Sequence, residues 1–561
     1  MTTNYFSRRA WFVIFLALVI FYLYGLGHFP LMGPDEPRYA QVAREMFLRG
    51  DLITPSLGGY NWFEKPSLLY WLMMGAYELF GFSEFAARLG PAIAGLLTAW
   101  FVYWMARRVE LKDADGRPIH GWGQWSCLAF ATSAGAMIFS RGASFDIILT
   151  ATVTAAVAFF FAADNESDNV KQRRFLAGFY VSVGLSLLAK GLLGIVLPGG
   201  IVFLYFLFQR RVPERRMWLS LLWGAPLGLA VAAIWYGPVI ARHRWEFIHD
   251  FIIEHHFARY TSNKYLHPQP FWFFLPVILG LALPWTPMLI DAFVGLRKLK
   301  WRQPTDAATR LQFLGLALLV FPVLFFSLSG SKLPGYVLPG LPGAAILIGV
   351  RVAHFVETGV SRRALQFTGL LLVLLALGGG VYIYSRDLVE LNCLIAVFLP
   401  LVIAGCLAIW FVRQRRSVGA GAIPLAMVLA GIVAINCLAG PLLGSGSVRD
   451  LLKTAAARGY GNAPIVDLHT VEHSAEFYAP VFAPPNIGDR LHRDPDGKQT
   501  RFEGVAPITE ITRMLGRPVL VIVPREYVGQ LTDATALQSE ILGNNGKVSL
   551  VVVRIRNTGA P

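Results

Sequence analysis

Thirteen apolar stretches recur along this 561-residue chain, at about 10–27, 87–106, 122–140, 146–163, 175–190, 192–208, 217–239, 271–293, 311–328, 336–354, 365–384, 392–412 and 419–441. Many approach the roughly 20 residues that an α-helix needs to cross a hydrocarbon core of about 30 Å. The rest of the composition agrees: 55% of residues are hydrophobic and 15% are charged, against about 25% charged in soluble domains. Backbone in hydrocarbon must satisfy its own hydrogen bonds, and a helix does so within one segment. The sequence therefore predicts a polytopic α-helical membrane protein of about thirteen transmembrane helices, followed by a polar tail.

The formal charge of +15 would suit nucleic-acid binding if it covered one folded face. It lies instead in short turns. With the N-terminus taken as cytoplasmic, the turns on that side carry Arg107, Arg108, Lys112 and Arg117; Lys171, Arg173 and Arg174; Arg210, Arg211, Arg215 and Arg216; Arg297, Lys298, Lys300 and Arg302; Arg362 and Arg363; and Arg413, Arg415 and Arg416. This is the positive-inside pattern, so the charge reports topology, and no nucleic-acid partner is implied. Thirteen crossings place the tail outside. Residues 1–27 are long enough to span and lack a small-residue cleavage site, so they read as a first span. Cys127, Cys393, Cys406 and Cys437 fall in apolar spans without metal spacing and read as packed small apolar residues.

Two domains are predicted: a transmembrane domain, 1–444, and a soluble domain, 445–561. Two outer loops are long, 28–86 and 240–270, and long loops on a short-looped bundle are where a site is built. The first reads as two interfacial helices. Asp35 is placed as N-cap of one, with Pro37 in its opening turn and Gly50 closing it. Tyr39, Val42, Ala43, Met46 and Phe47 form its apolar stripe, opposite Arg38, Gln41, Arg44, Glu45 and Arg49. The other starts at Pro66. The tail shows strand-like runs at 464–468, 518–523 and 548–553 and helix-like runs near 447–457, 507–515 and 525–543, a small α/β domain.

The chemistry-bearing residues cluster on the outer side. Just after the first apolar stretch comes Gly33-Pro34-Asp35-Glu36-Pro37-Arg38-Tyr39-Ala40, an acid/base cluster that is costly at a membrane unless it does something. Asp35 and Asp146 are candidate catalytic carboxylates; each could equally cap a helix. Lys65, in Phe63-Glu64-Lys65-Pro66, and Lys190, which interrupts an apolar stretch, could snorkel to headgroups or hold a phosphate as point charges. Arg259 and Tyr336 join them, with Glu36, Arg38 and Lys332 in secondary roles. Glu64 with His255 or His256 could hold a divalent metal such as zinc.

Asp35-Glu36-Pro37-Arg38-Tyr39-Ala40, Phe63-Glu64-Lys65-Pro66, Asp146, Lys190-Gly191 and His256 with Arg259-Tyr260 together resemble the bacterial aminoarabinose transferases. These are C-type (GT-C) glycosyltransferases related to protein O-mannosyltransferases and oligosaccharyltransferases. The resemblance implies a GT-C fold in the bacterial inner membrane with its active site on the periplasmic face. It also implies transfer of 4-amino-4-deoxy-L-arabinose from undecaprenyl phosphate to lipid A phosphates, the modification that confers resistance to polymyxin and cationic peptides.

A polyprenyl-phosphate donor needs counter-charge for its leaving group and no cofactor; Lys65 and Arg259, supported by Lys190 and Tyr336, are the expected clamp. In-line attack by the acceptor phosphate would invert the anomeric carbon. Membrane lipids are the remaining partners expected, and the protein is expected to be a monomer. Two other readings stay open: a related GT-C transferase with another sugar or a protein acceptor, and a lipid-linked sugar transporter or flippase.

Overall fold

The computed structural model describes residues 5–556 apart from 114, 259–268, 298, 300, 302–305, 484–488 and 496, with backbone alone for 256–258 and 445. All thirteen apolar stretches are helical. Eight of the described helices are long and apolar enough to cross a membrane, or nine if a bent pair counts as one span. The other four stretches depart from a simple span for local reasons. Arg8–Leu23 and Leu193–Gln209 have 16 and 17 residues. Asn169–Lys190 has 22 but begins with Lys171, Arg173 and Arg174. The stretch 122–140 breaks in two, Trp122–Ala131 and Ala134–Phe139. There the Thr132 hydroxyl bonds the Leu128 carbonyl (2.6 Å) and accepts the Trp285 indole N–H (3.1 Å), while Ser133 caps the next helix; such side chains compete with the helical ladder. The bent pair, Phe271–Leu281 and Thr286–Leu296, turns by 113° at Pro284, which cannot continue a helix.

By its contacts the chain forms two units. The first holds Met1–Tyr24, Phe63–Leu69 and Arg88–Ala434. Its inner helices are Pro334–Thr358 and Phe145–Asp164, whose spanning windows are 89% and 83% buried, whereas that of Leu391–Trp410 is 28% buried. Phe145–Asp164 packs along Asn169–Lys190. The predicted outer loop 240–270 starts instead as helix. Arg215–Phe247 continues through a kink at Arg244 (φ 50°, ψ −121°) into a π-helix, Ile248–Ala258. The reason is aromatic: Trp235 lies against Phe247 and Phe251, whose rings stack at 5.1 Å.

The second unit joins Gly25–Trp62 and Tyr70–Ala87 to Ile435–Pro561, so most of the first long loop packs with the tail. Asp35–Arg49 and Leu68–Phe80 are the two expected loop helices. Gly50 closes the first in the left-handed region (φ 62°), the conformation that favours glycine. The tail is a five-stranded mixed sheet. Ile465–Leu468 lies parallel to Arg501–Phe502 and Val519–Pro524, and Val548–Ile555 runs antiparallel between Val519–Pro524 and Leu537–Asn544. Its core holds Val466, Leu468, Ile508, Val519, Val521, Val551 and Val553. Three strands and the helices Arg449–Ala455 and Val505–Leu515 fall where the pattern put them. The expected helix 525–543 is corrected: helix ends at Thr532 and Leu537–Asn544 is a strand. It forms a hairpin with Val548–Ile555 around Asn545-Gly546, Gly546 at φ 94°. An Asn-Gly turn between two such runs is a hairpin signal that outweighs helical spacing.

Candidate active site

The helix Phe145–Asp164 opens on Ser144, whose Oγ accepts the Asp146 amide at 3.1 Å. The serine is therefore the cap, and the Asp146 carboxylate, expected as an alternative cap, is used elsewhere. It pairs with Lys190 Nζ, the two side chains being 20% and 14% exposed. Lys190 ends the helix Asn169–Lys190, where a cation suits the dipole. The turn that leads into Pro334–Gly340 arrives from a third direction. Lys190 Nζ stands 5.0 Å from the Tyr336 ring centre, and the Tyr336 ring packs at 5.1 Å on Phe326. Gly335 approaches so closely that a Cβ there would strike Asp146 Oδ2 and the Phe139 ring. Asp146, Lys190 and Tyr336, 190 positions apart from first to last, thus share one site. Lys332 belongs to the same turn but is buried, and its ammonium donates to the Ser329 carbonyl at 2.6 Å.

The same unit holds the second basic candidate. The Phe63 ring packs on His243 and Phe247 at 4.9 and 5.3 Å, which sets the following residues beside the kinked helix end. Lys65 Nζ donates to Glu64 Oε1 at 2.7 Å, with 12% and 16% exposure. Arg259 and Tyr260, the expected continuation of this site, lie outside the described residues, as does the His256 side chain. Glu64, placed as a metal ligand, is engaged by Lys65; among the described residues no group of three His, Cys, Asp or Glu side chains could hold an ion.

Asp35 and its neighbours lie in the second unit. Pro34 stands at the N-cap position with no side-chain cap, and Asp35 is the first helical residue, which corrects its expected role as cap. Its carboxylate is 56% exposed and pairs with Arg38 at 3.2 Å. Arg38 is held in turn by the Pro34 carbonyl (2.7 Å) and lies over the Trp62 ring (5.7 Å). Glu36 accepts the Met32 amide at 2.8 Å and so braces the chain entering the helix. Gln41, assigned to the polar face, is buried and bonds Glu45 at 3.0 Å.

Residues 7–248 match the family described as dolichyl-phosphate-mannose-protein mannosyltransferase. A Pseudomonas fluorescens protein named undecaprenyl phosphate-alpha-4-amino-4-deoxy-L-arabinose arabinosyl transferase 2 is 32% identical over 82% of this chain and 78% of that one. The chain belongs to this arabinosyl transferase family. An Edwardsiella ictaluri protein named undecaprenyl phosphate-alpha-4-amino-4-deoxy-L-arabinose arabinosyl transferase is 34% identical over 66% of this chain, which spans just under two thirds, 64%, of that protein's length. The fold agrees: the crystal structure of ArnT from Cupriavidus metallidurans bound to undecaprenyl phosphate superposes with a TM-score of 0.76 at 23% identity, over 99% of this chain and all of that one. The chain shares the fold of that structure, and eight or nine of its described helices are long and apolar enough to cross a membrane.

Several family-member residues here carry structural tasks that sequence pattern left unmarked. Glu45 accepts from Ser56 Oγ (2.7 Å) and the Gly58 amide (2.7 Å), pinning the hairpin Ser56–Leu57/Tyr60–Asn61. Tyr478 Oη receives the Leu31 amide (2.8 Å) and donates to Glu84 (3.0 Å), which also pairs with Arg449 (3.1 Å). In the tail, Arg493 holds Glu476 at 2.5 Å with both side chains nearly buried. Burial, and then the Arg38 charge, hold the His473 pKa down at about 4. The Gly58-Gly59 pair was a readable turn signal; the partners of Glu84 lie more than 360 residues away and had none.

Proposed function

We propose that this chain transfers 4-amino-4-deoxy-L-arabinose from undecaprenyl phosphate to phosphate groups of lipid A, inverting the anomeric carbon. The observation that carries this reading is its 32% identity to an arabinosyl transferase of that name along four fifths of the chain. The loops that bear Asp35, Lys65, Arg259 and Tyr336 face the periplasm in the thirteen-span topology, and 445–561 forms a soluble periplasmic domain after a transmembrane domain of 1–444. The protein works as a monomer in the inner membrane, and its product makes the cell surface less attractive to polymyxin.

The chemistry follows from charge. Breaking the glycosidic bond builds charge on the departing phosphate, so cations that meet it favour the transition state over the ground state. Lys65 and Arg259 are the clamp in this reading, supported by Lys190 and Tyr336. Lys190 and Lys65 are each partly neutralised by a carboxylate in the resting protein, which lowers the cost of holding two ammonium groups in a membrane site before an anion arrives. Asp146 positions the acceptor and steadies positive charge on the sugar, and Asp35 is the second carboxylate assigned to the chemistry. The acceptor phosphate is mostly dianionic near pH 7, with a second pKa of about 6, and needs no strong base. No step requires a metal, so activity should survive EDTA; a loss restored by zinc would make Glu64 and His256 ligands. Labelled sugar-lipid and lipid A in proteoliposomes test the whole reading. Label on lipid A is expected. Label on protein instead points to a peptide acceptor, and movement of label without transfer to a flippase.

A further inference from the structure

A cleft of about 320 Å³ opens between the first helix, Arg8–Leu23, and the helix Glu84–Arg107. This is at the low end of the size range of ligand sites. Its walls include Arg8, Trp11, Phe12, Trp100, Tyr103 and Arg107, all in the first unit and at the ends of their helices that adjoin the basic turn 107–117. Trp11 and Tyr103 close its floor, their rings 5.1 Å apart. Phe12 and Trp100 are 68% and 39% exposed on its flanks. The Arg107 guanidinium lies 5.7 Å from the Tyr103 ring and lines the cleft. The Arg8 guanidinium has no hydrogen bond or ion pair among the described residues.

Two guanidinium groups over an aromatic floor, with apolar side walls, match the parts of one lipid. Arginine forks grip phosphate oxygens in pairs, and aromatic side chains settle where headgroup meets hydrocarbon. Basic recesses between helices on the face with the arginine-rich turns suit anionic headgroups. We propose that Arg8 and Arg107 bind the phosphate of one anionic phospholipid of that leaflet, its acyl chain lying along Phe12 and Trp100. The site lies apart from Asp146, Lys190 and Tyr336 and does not depend on which sugar is transferred.

The test uses the full chain in detergent, titrated with phosphatidylglycerol or phosphatidylcholine and followed by native mass spectrometry. One phosphatidylglycerol should be retained where phosphatidylcholine is stripped. A cation near the surface is worth about fivefold in anionic-lipid binding, so Arg8→Gln should lose about fivefold and Arg8→Gln/Arg107→Gln roughly thirtyfold. Arg362→Gln/Arg363→Gln removes two exposed arginines outside the cleft and should leave binding unchanged. Equal retention of the two lipids overturns the site, as does an equal loss in the Arg362/Arg363 variant. If the double cleft variant does not fold, Arg8→Gln alone decides, because Arg8 is exposed and unpaired among the described residues.

Discussion

Asp146 and Lys190 show how much one side chain's meaning depends on its partner. Either alone reads as a cap or a snorkelling cation; paired, with 20% and 14% exposure, they form a charge-balanced group that holds Tyr336 close by. Removing one partner strands the other. Lys190→Met and Asp146→Asn should each lower stability, read as a drop in melting temperature, by less than the roughly 3–5 kcal/mol seen for fully buried pairs. The double variant should regain stability yet stay inactive, and a double variant that transfers sugar normally would reduce the pair to a structural one. Asp35 is the opposite case. It is exposed and its helix start needs no cap from it, so Asp35→Asn should cost under about 1 kcal/mol, the worth of a surface ion pair and dipole contact. Its effect should fall on turnover, and unchanged initial rates would remove it from the chemistry. Loss of a phosphate contact is larger: Lys65→Ala should lower kcat/KM by about a hundred- to thousandfold, measured as initial rate against donor concentration.

At the scale of elements, the legible features were those set by local pattern. Apolar length marked helix in all thirteen stretches, and Gly50, the parallel strands Ile465–Leu468 and Val519–Pro524, and both loop helices fell close to where propensity put them. Asp35 looked like a cap because capping residues are known by type, yet the chain enters its helix through Pro34. The run 240–258 looked like a loop because it is charged, yet its Phe247 and Phe251 follow Trp235 onto one aromatic stack. Leu537–Asn544 looked helical because its register was judged without its partner strand. In the last two cases contact with a nearby segment overrode the local signal. The packing of loop and tail into one unit could not be read at all, because it rests on Tyr478 meeting Leu31 and Glu84. Tyr478→Phe leaves those groups without their hydroxyl, a loss of about 1–3 kcal/mol for buried polar groups. Limited proteolysis between 25 and 62 should quicken, and an unchanged cleavage rate would show that the tie is dispensable.

At the scale of the molecule, the second unit carries two buried titrating groups that pull stability in opposite directions with pH. His473 is held neutral: burial first, and the charge of Arg38 second, lower its pKa to about 4, against about 6.5 when unfolded. The unfolded chain therefore takes up a proton first on acidification. The contribution of His473 is complete above about pH 6.5 and is lost as pH falls toward about 4. Asp467 behaves the other way. Burial raises its pKa well above the usual carboxylate value, although Gln499 donates to it. Its folded form holds a proton more tightly than its unfolded form, so its contribution is complete below about pH 3.9 and is lost as pH rises through the folded pKa. Asp467→Asn keeps an acceptor for Gln499 and removes the ionisable group. Hydrogen exchange in the strands Ile465–Leu468 and Val519–Pro524, corrected for intrinsic rates, reads both effects. In the unaltered chain His473 should draw protection down between pH 6.5 and pH 5. In His473→Phe that decline should flatten. Asp467→Asn should protect these strands better at pH 8, and the gain should shrink at pH 5. An acid decline that persists unchanged in His473→Phe would assign the sensitivity elsewhere and uncouple the Arg38 helix from the titration of the tail.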